Sequence, residues 1–360
     1  MVQQQGGGAA KSGQLEGFAW LADRLASMSP AEIAFRFEEM FKRTISRLYQ
    51  PDFTRLINGP LEPLPRIDGL VEGLEVFANA SELRADWRRL AEQMRQGRFQ
   101  ALGMTWPETD DPPNWHMDPH TKTVWPSRPY CFDVPYRYAP ERGDIKFVFE
   151  LNRLQYLQPM AALAAIEDDD ELADLVVAHI DSWIAANPTF RGVNWISGIE
   201  LALRVVSLLI ITTLIGDRAF SAEFIQRLHI CLAAHGYWLA RYPSRFSSAN
   251  NHRIAEAGAL YLLGRLVPTL TAADEWANYG KNVLEDELAL QFHDDGVGAE
   301  QSPTYAAFSL EWCVLCATVG ERLGDSWRNA SWHRMVQAGS HLRAMTDVAG
   351  NQPRIGDDDE

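Results

Sequence analysis

The stretch Ser247-Ser-Ala-Asn-Asn-His-Arg-Ile-Ala-Glu256 opens an apolar helix and crowds polar side chains into its first turn. Two amides, an imidazole and a guanidinium fill the four positions from Asn250 to Arg253. A helix start needs only one capping side chain, which Asn250 can supply. One interpretation is that Asn250 caps the helix while His252 is solvated and Asn251 is incidental. The alternative is that the surplus polar groups form a site.

A second helix start lies about fifty residues further along the chain. Ser302 fits the N-cap and Pro303 fits the first helical position, which places Tyr305 in the first turn. Helix N-termini carry unpaired N–H groups and partial positive charge. If the two helix starts converge, they form a site for an anion that already contains an amide and a phenol.

Similar polar or aromatic helix starts recur through the second half of the chain, at 150–153, 194–195, 250–252 and 302–305. Their spacing of roughly 45–55 residues corresponds to one helix pair per step. Helix pairs repeated at that length predict an α-solenoid or a closed α/α toroid. Alternate helices of such a fold point the same way, so the unusual residues should gather at one end. The predicted helices are 147–166, 170–186, 195–215, 221–241, 251–267, 271–292, 303–323 and 326–345.

Composition and periodicity divide the chain into five segments. They are a disordered tail at 1–14, an N-terminal helical extension at 15–96, an irregular aromatic and proline-rich segment at 97–146, a toroid at 147–350 and the start of a linker at 351–360. The extension is expected to hold helices at 15–26, 30–48 and 81–96, with a Pro- and Gly-rich loop at 50–80. The tryptophans of the irregular segment, Trp106, Trp115 and Trp125, could pack in a core or stack on sugar rings.

Charge and motif content exclude several classes of function. A net charge of −15 argues against a nucleic acid partner. Cys313 and Cys316 form a CxxC inside an apolar helical run, which favours core packing over zinc binding. No P-loop, Ser-His-Asp arrangement or metal-ligand spacing is visible, so neither a metal nor a cofactor is expected. The most apolar run, 205–215, is too short to span a bilayer, and no membrane span is expected.

The residues predicted to meet at one end are Asn152, Arg153, Trp195, Asn251, His252, Arg253, Glu300 and Tyr305. A tyrosine, an amide and a histidine suit removal of a proton α to a carboxylate. The amide stabilises the developing enediolate, and the tyrosine acts as the base once its pKa falls. Arg253 and a protonated His252 would lower that pKa. The expected reaction is β-elimination on a uronic-acid polysaccharide.

The pattern resembles the heparinase II/III-like polysaccharide lyases, which include heparin, heparan and alginate lyases. The matching segments are 143–153, 194–204, 250–252, 300–305 and 353–357. The resemblance implies an all-α fold, an incomplete α/α toroid of antiparallel helix pairs, with a β-sandwich domain after it. It implies that Asn251 neutralises the uronate carboxylate, that Tyr305 is the general acid and base, and that His252 lies beside them. The residues then expected to bind an acidic polysaccharide or oligosaccharide are Asn152, Arg153, Trp195, Arg253 and Glu300.

The resemblance also implies a further catalytic histidine on the β-sandwich domain. That domain is missing from the sequence, so the chain is expected to be a fragment or an incomplete reading frame whose partner is the missing domain. A periplasmic location is expected from the resemblance, although the first residues show no signal peptide.

Two other functions fit the same residues. An α/α-toroid glycoside hydrolase would use Glu300 with Asp294 or Asp295, since glycosidases need two carboxylates across the bond. A non-catalytic sugar-binding or assembly protein could also have kept the toroid. The acidic composition favours a moderately charged substrate over heavily sulfated heparin.

Overall fold

Helices make up most of the described chain. The structure, a computed structural model, describes residues 28–356 except 62–63, 79–80, 108–111, 137–138 and 217–218. The helices are α1 (Pro30–Leu48), α2 (Leu70–Ala78), α3 (Ser81–Arg95), α4 (Ile145–Asn152), α5 (Leu157–Glu167), α6 (Asp170–Ala186), α7 (Gly198–Ile215), α8 (Ala222–Arg241), α9 (Asn251–Leu266), α10 (Ala273–Gln291), α11 (Pro303–Arg322) and α12 (Asn329–Met345). A short antiparallel hairpin joins β1 (Gln100–Ala101) to β2 (Met104–Thr105). Helix α1 belongs to a first compact unit that ends at Pro51, and the later elements belong to a second unit that begins at Asp52.

Four helix hairpins of the second unit stand side by side. Helices α5, α7, α9 and α11 form an inner row in which each contacts the next along the chain. Each of these inner helices also packs against the helix that follows it, so α6, α8, α10 and α12 form an outer row. This arrangement of antiparallel pairs is an incomplete α/α toroid, as the sequence predicted.

The inner helix α7 is apolar on nearly every side because other helices surround it. Within the described ranges it is the one helix that is long and apolar enough to cross a membrane, with 18 residues and a mean hydropathy of 2.0. Inside this fold, 89% of those residues are buried. The apolar run expected at 205–215 is therefore only the second half of a longer core helix.

Helices α9 and α10 approach each other closely through glycines. A Cβ atom on Gly264 would lie 2.3 Å from the carbonyl oxygen of Ala273. A Cβ atom on Gly280 would lie 2.4 Å from the carbonyl oxygen of Ala257. Both distances are far below van der Waals contact, so only glycine allows the two backbones to pack at this separation.

The helix predicted at 147–166 is two helices, α4 and α5. The chain turns between them at Leu154, whose φ of 61° lies in the left-handed region. Pro159 explains the break, because in one continuous helix its ring would clash with the carbonyl of Gln155. Restarting the helix at Leu157 places Pro159 in a first turn, where a backbone N–H is not needed.

One further expectation about the N-terminal half is wrong, and another lies outside the described residues. The stretch predicted as a loop at 50–80 contains helix α2, and the helix expected at 15–26 lies outside the described residues. Helices α2 and α3 both pack on α5, and α2 also packs on α7. The boundary between compact units lies after Pro51, and the division of the second unit expected after residue 96 stays a prediction.

The tryptophans of the irregular segment belong to the core. Trp106, Trp115 and Trp125 expose 1%, 3% and 1% of their surface. Burial of these large side chains stabilises the segment on the helices and leaves no face on which a sugar could stack. Of the two roles that the sequence left open, core packing is the one observed.

A partly buried hydrogen bond at the end opposite to the helix starts supports a stability prediction. The Tyr261 hydroxyl donates to Asp325 Oδ2 at 2.6 Å, and Arg265 Nε lies 3.1 Å from the same oxygen. Tyr261→Phe should lower the free energy of unfolding by about 1.5–3 kcal/mol, the usual worth of a hydrogen bond to a charged group. Urea denaturation measures this change, and an unchanged midpoint would contradict it.

Candidate functional site

The polar residues at the start of α9 have distinct structural roles. Asn250 is the N-cap, and its side-chain oxygen accepts the His252 backbone N–H at 3.2 Å. The buried Glu256 carboxylate holds the preceding loop by accepting the Ser244 N–H at 2.7 Å and its hydroxyl at 2.8 Å. The capping part of the simplest interpretation is therefore correct, and Asn251 is left with no role in capping.

The start of α11 has the geometry that its sequence predicts. Ser302 is the N-cap, and its hydroxyl accepts the Tyr305 backbone N–H at 3.3 Å. Pro303 occupies the first helical position, and the half-buried Tyr305 follows within the first turn. The last described residues return to this point, because a Cβ atom on Gly356 would lie 2.8 Å from the Gln301 carbonyl oxygen.

A direct hydrogen bond joins the starts of α9 and α11. Glu300 Oε1 accepts the backbone N–H of Asn251 at 3.0 Å. Asn251 exposes only 5% of its surface, and within the described part of the chain its side-chain Oδ1 is buried without a hydrogen-bond partner. A buried polar atom in this condition costs roughly 1–3 kcal/mol unless a ligand satisfies it. Asn251 therefore has hydrogen-bonding capacity that the described residues do not use.

The start of α7 reaches the same end of the toroid. Glu200 lies in the first turn of α7 and accepts from Arg153 Nε at 2.8 Å and from Arg153 Nη2 at 3.1 Å. Arg153 Nη1 also donates to Glu150 Oε2. The charge of the Glu200 carboxylate opposes the lowering of the His252 pKa, so Glu200 lies near the start of α9. As the repeat predicts, the inner helix starts gather at one end, although 150–153 lies at the end of α4 rather than at a helix start.

Burial shifts the pKa values of His252 and Glu300 at this end of the toroid. It lowers the pKa of His252 below its usual value, against the opposing effect of Glu200, so the imidazole is neutral at pH 7. Burial raises the pKa of Glu300, against the opposing hydrogen bond from Asn251. The expectation that a protonated His252 lowers the pKa of Tyr305 is therefore wrong.

The Arg253 guanidinium is held by α10 rather than by α11. Its Nε lies 2.6 Å from Glu287 Oε1, and its Nη1 donates to the Ser244 carbonyl at 3.2 Å. Glu287 is buried, so this ion pair is partly desolvated. These contacts pair the charge of Arg253 within the protein, and its predicted roles of binding substrate and lowering the pKa of Tyr305 stay predictions.

Asn152 and Trp195 lie in the core below the site. Asn152 is fully buried, and each of its amide atoms makes two hydrogen bonds. Its partners are the carbonyls of Trp115 and Val148, the indole of Trp183 and the amide of Asn194. Trp195 exposes 1% of its surface and stacks on Phe190. This burial contradicts the prediction that the two residues contact substrate.

Arg204, a fully buried arginine that was not among the predicted site residues, links the backbone at Asn152 to the backbone at Asn194. Arg204 Nε donates to the Asn152 carbonyl at 2.6 Å, and its Nη1 donates to the Asn194 carbonyl at 3.3 Å. Its guanidinium carbon lies 4.3 Å from the ring centroid of Trp183. Burial lowers the pKa of Arg204 to about 10, and the group stays charged at pH 7. An arginine inside the apolar run of α7 was the signal in the sequence.

Residues 94–331 match the family described as heparinase II/III N-terminus. The chain belongs to this family. The match includes every predicted site residue and confirms the resemblance.

Two curated relatives match about half of this chain. The sequence is 26% identical over 184 residues to a heparin-sulfate lyase of Bacteroides thetaiotaomicron. That alignment covers 48% of this chain and 25% of the relative. It is 23% identical over 205 residues to a heparin-sulfate lyase of Bacteroides stercoris, which covers 51% of this chain and 30% of that protein. The aligned part of the chain thus spans less than a third of either relative.

Solved structures of the same kind share the fold. A heparan sulfate lyase from Pedobacter heparinus superposes with a TM-score of 0.52 at 20% identity, over 88% of this chain and 44% of that chain. A crystal structure of heparinase III gives a TM-score of 0.52 at 19% identity, over 85% of this chain and 49% of that chain. These likenesses support the toroid of the heparinase II/III family independently of the sequence match.

Proposed function

We propose that this member of the heparinase II/III family is a polysaccharide lyase that cleaves a uronic-acid polysaccharide by β-elimination. The observation that carries the proposal is the Asn251 amide. It is buried, its Oδ1 has no partner in the described residues, and its backbone is fixed by Glu300 from the turn that leads to Tyr305. The two curated relatives named heparin-sulfate lyase support the same class of reaction.

In the proposed reaction Asn251 Nδ2–H donates to the uronate carboxylate and offsets its charge, while the unpartnered Oδ1, which can only accept, takes a hydrogen bond from a substrate hydroxyl. Tyr305, whose phenolic proton the neutral His252 imidazole can accept, takes the proton from C5 of the uronic acid, and the carboxylate becomes an enediolate. The electron pair then forms the C4–C5 double bond while the C4–O bond breaks. Tyr305 returns the proton to the leaving oxygen, so the enzyme ends in its starting state.

A neutral His252 and a Glu300 whose pKa is raised by burial suit an anionic substrate. A neutral imidazole can accept a hydrogen bond or a proton, which an imidazolium cannot. Burial raises the pKa of Glu300, and the carboxyl group does not repel a uronate when it is protonated. We therefore assign His252 to proton handling beside Tyr305, and Glu300 to orienting Asn251 and contacting the substrate. Arg153, which is partly exposed and paired with Glu200, is the remaining substrate-binding candidate.

The hydrolase alternative has less support from the geometry. Asp294 is almost fully exposed and pairs with Arg334 of α12 at 2.7 Å. Asp295 accepts the Val297 backbone N–H of its own turn at 3.1 Å. Both carboxylates are engaged outside the contact between Asn251 and Glu300, so a second carboxylate facing Glu300 across a glycosidic bond is not supplied by either.

The product distinguishes the three functions. The complete natural protein, incubated with uronic-acid polysaccharides of different sulfation, should release unsaturated uronides that absorb in the near ultraviolet, with one new reducing end per double bond. New reducing ends without absorbance would identify a hydrolase and refute the proposal. Saturable binding with neither product would identify a non-catalytic sugar-binding protein.

The raised pKa of Glu300 predicts a pH dependence of substrate affinity. Below this pKa the carboxyl is neutral and tolerates a uronate, whereas above it the carboxylate repels the substrate. KM should therefore rise as the pH rises through the pKa of Glu300, and this rise should vanish in Glu300→Gln. Initial rates from about pH 4.5 to 8, a range that spans the usual and the raised pKa of a glutamate, measure both curves. Parallel curves for the two proteins would exclude this role for Glu300.

A further inference from the structure

A cavity of about 250 Å³ is lined in part by Glu150, which Arg153 links to Glu200. Its walls come from α3, the β1–β2 hairpin, the end of α4 and the start of α5. Apolar side chains that include Met94 and Met160 alternate with the hydrogen-bonding side chains of Gln93 and Gln155. Such a lining suits a small ligand with apolar faces and a polar edge, as a sugar ring has.

The mouth of this cavity holds an unusual residue. Leu102 occupies the first position of the two-residue β1–β2 turn, and both Leu102 and Gly103 have positive φ, 49° and 72°. Such turns favour Asn-Gly, and a leucine in the left-handed region is strained because its Cβ comes too close to the following carbonyl oxygen. Leu102 also exposes 42% of its surface, so packing within the protein does not compensate this cost. A strained, exposed apolar residue at a cavity mouth points to a contact with a ligand.

The charged side chains around the cavity indicate which class of sugar it can bind. Glu150 lines the cavity and shares Arg153 with Glu200, so the three side chains together carry one net negative charge. Burial raises the pKa of Glu150, which shows how little water screens it. Arg98, the basic side chain among the described lining residues, is exposed, where solvent screens its charge. Among the described residues, the partly buried counter-charge that an anionic sugar would meet beside Glu150 is Arg153, which Glu150 and Glu200 already share.

We propose that this cavity binds a single uncharged sugar ring, with Leu102 packed against its apolar face and Gln93 and Gln155 bonded to its hydroxyls. The choice of a sugar rests on the proposed polysaccharide substrate. The cavity adjoins the site through the chain of contacts from Glu150 to Arg153 and Glu200. It would therefore select polysaccharides in which an uncharged unit lies near the uronic acid that is cleaved.

Methionine methyl groups report binding without any need for turnover. Protein labelled with ¹³C-methyl methionine would be titrated with methyl β-D-glucopyranoside, glucuronate and glucose 6-sulfate. The Met94 and Met160 signals, assigned by Met→Leu variants, should shift saturably with the uncharged glycoside and at least about tenfold more weakly with the two anions, a difference of about 1.4 kcal/mol. Absence of a saturable shift, or equal shifts with all three sugars, would overturn the proposal.

One substitution separates binding from folding. Leu102→Asn creates the Asn-Gly pair that this turn favours, so the melting temperature should rise by a few degrees. The same change removes the apolar contact and should weaken glycoside binding at least about fivefold. Val336→Asn, at an exposed position on α12, is the matched control and should leave the affinity unchanged. Unaltered affinity in Leu102→Asn would refute the contact.

Failure of this proposal and failure of the lyase assignment have different signatures. If the methionine signals shift with the glycoside but the protein yields no unsaturated product, the cavity proposal is supported and the lyase assignment is refuted. If the protein produces unsaturated uronide normally but the methionine signals do not shift, the lyase assignment is supported and the cavity proposal is refuted.

Discussion

Tyr305→Phe should lower kcat on a uronic-acid polysaccharide by at least about 10²-fold, the low end of the contribution of general acid–base catalysis. KM should hardly change, because phenylalanine keeps the ring and removes only the hydroxyl that carries the proton. The Ser302 cap and Pro303 fix the first turn of α11 through the backbone, so the substitution leaves the local fold intact. Steady-state kinetics on the complete natural protein measure the effect.

Tyr261→Phe is the matched control for loss of a phenol. Its hydroxyl bonds Asp325 at the far end of α9, away from Asn251 and Tyr305. It should lower stability but leave kcat within about twofold at a temperature where both proteins are folded, as expected for a residue without contact to the reacting atoms. Equal losses of kcat in the two variants would show that the effect of Tyr305→Phe is structural.

Asn251→Ala should reduce kcat by about 10²–10³-fold, the usual cost of removing one hydrogen-bond donor from a developing oxyanion. Without the amide, the uronate carboxylate keeps its full charge and resists a second negative charge at the neighbouring carbon. The backbone N–H at this position still donates to Glu300, so the contact between α9 and α11 survives. KM should rise less than kcat falls, because the amide bond strengthens in the transition state.

The neighbouring amide provides the control for Asn251→Ala. Asn250→Ser keeps a capping oxygen for the His252 N–H and should retain nearly full activity and stability. If Asn250→Ser loses as much activity as Asn251→Ala, the start of α9 matters through its shape alone. The assignment of carboxylate neutralisation to Asn251 would then be wrong.

The features that the sequence predicts well are local or periodic. Ser302 and Pro303 occupy the cap and first-turn positions expected of them, since capping depends on a few consecutive residues. The convergence of Asn251 and Glu300 follows from the repeat length, because alternate helices of a toroid start at the same end. The break at Leu154 was also visible in principle, through Pro159.

Side-chain direction and burial could not be read from the sequence. Arg253 lies next to His252 but turns to Glu287 on α10, and only the packing of two helices decides that. Asn152 looks like a site residue because it is polar beside Arg153, yet it saturates its amide with partners from distant segments. The neutral state of His252 depends likewise on burial by the tertiary fold.

The most direct test of β-elimination by Tyr305 compares kcat for Tyr305→Phe and Glu300→Gln on one uronic-acid polysaccharide, followed by near-ultraviolet absorbance and by reducing ends. The amide oxygen that Glu300→Gln introduces can still accept the Asn251 N–H, so this variant should keep most of its kcat at neutral pH. Tyr305→Phe should fall at least about 10²-fold in both assays. An active Tyr305→Phe beside an inactive Glu300→Gln would contradict the lyase assignment and identify a carboxylate-dependent hydrolase.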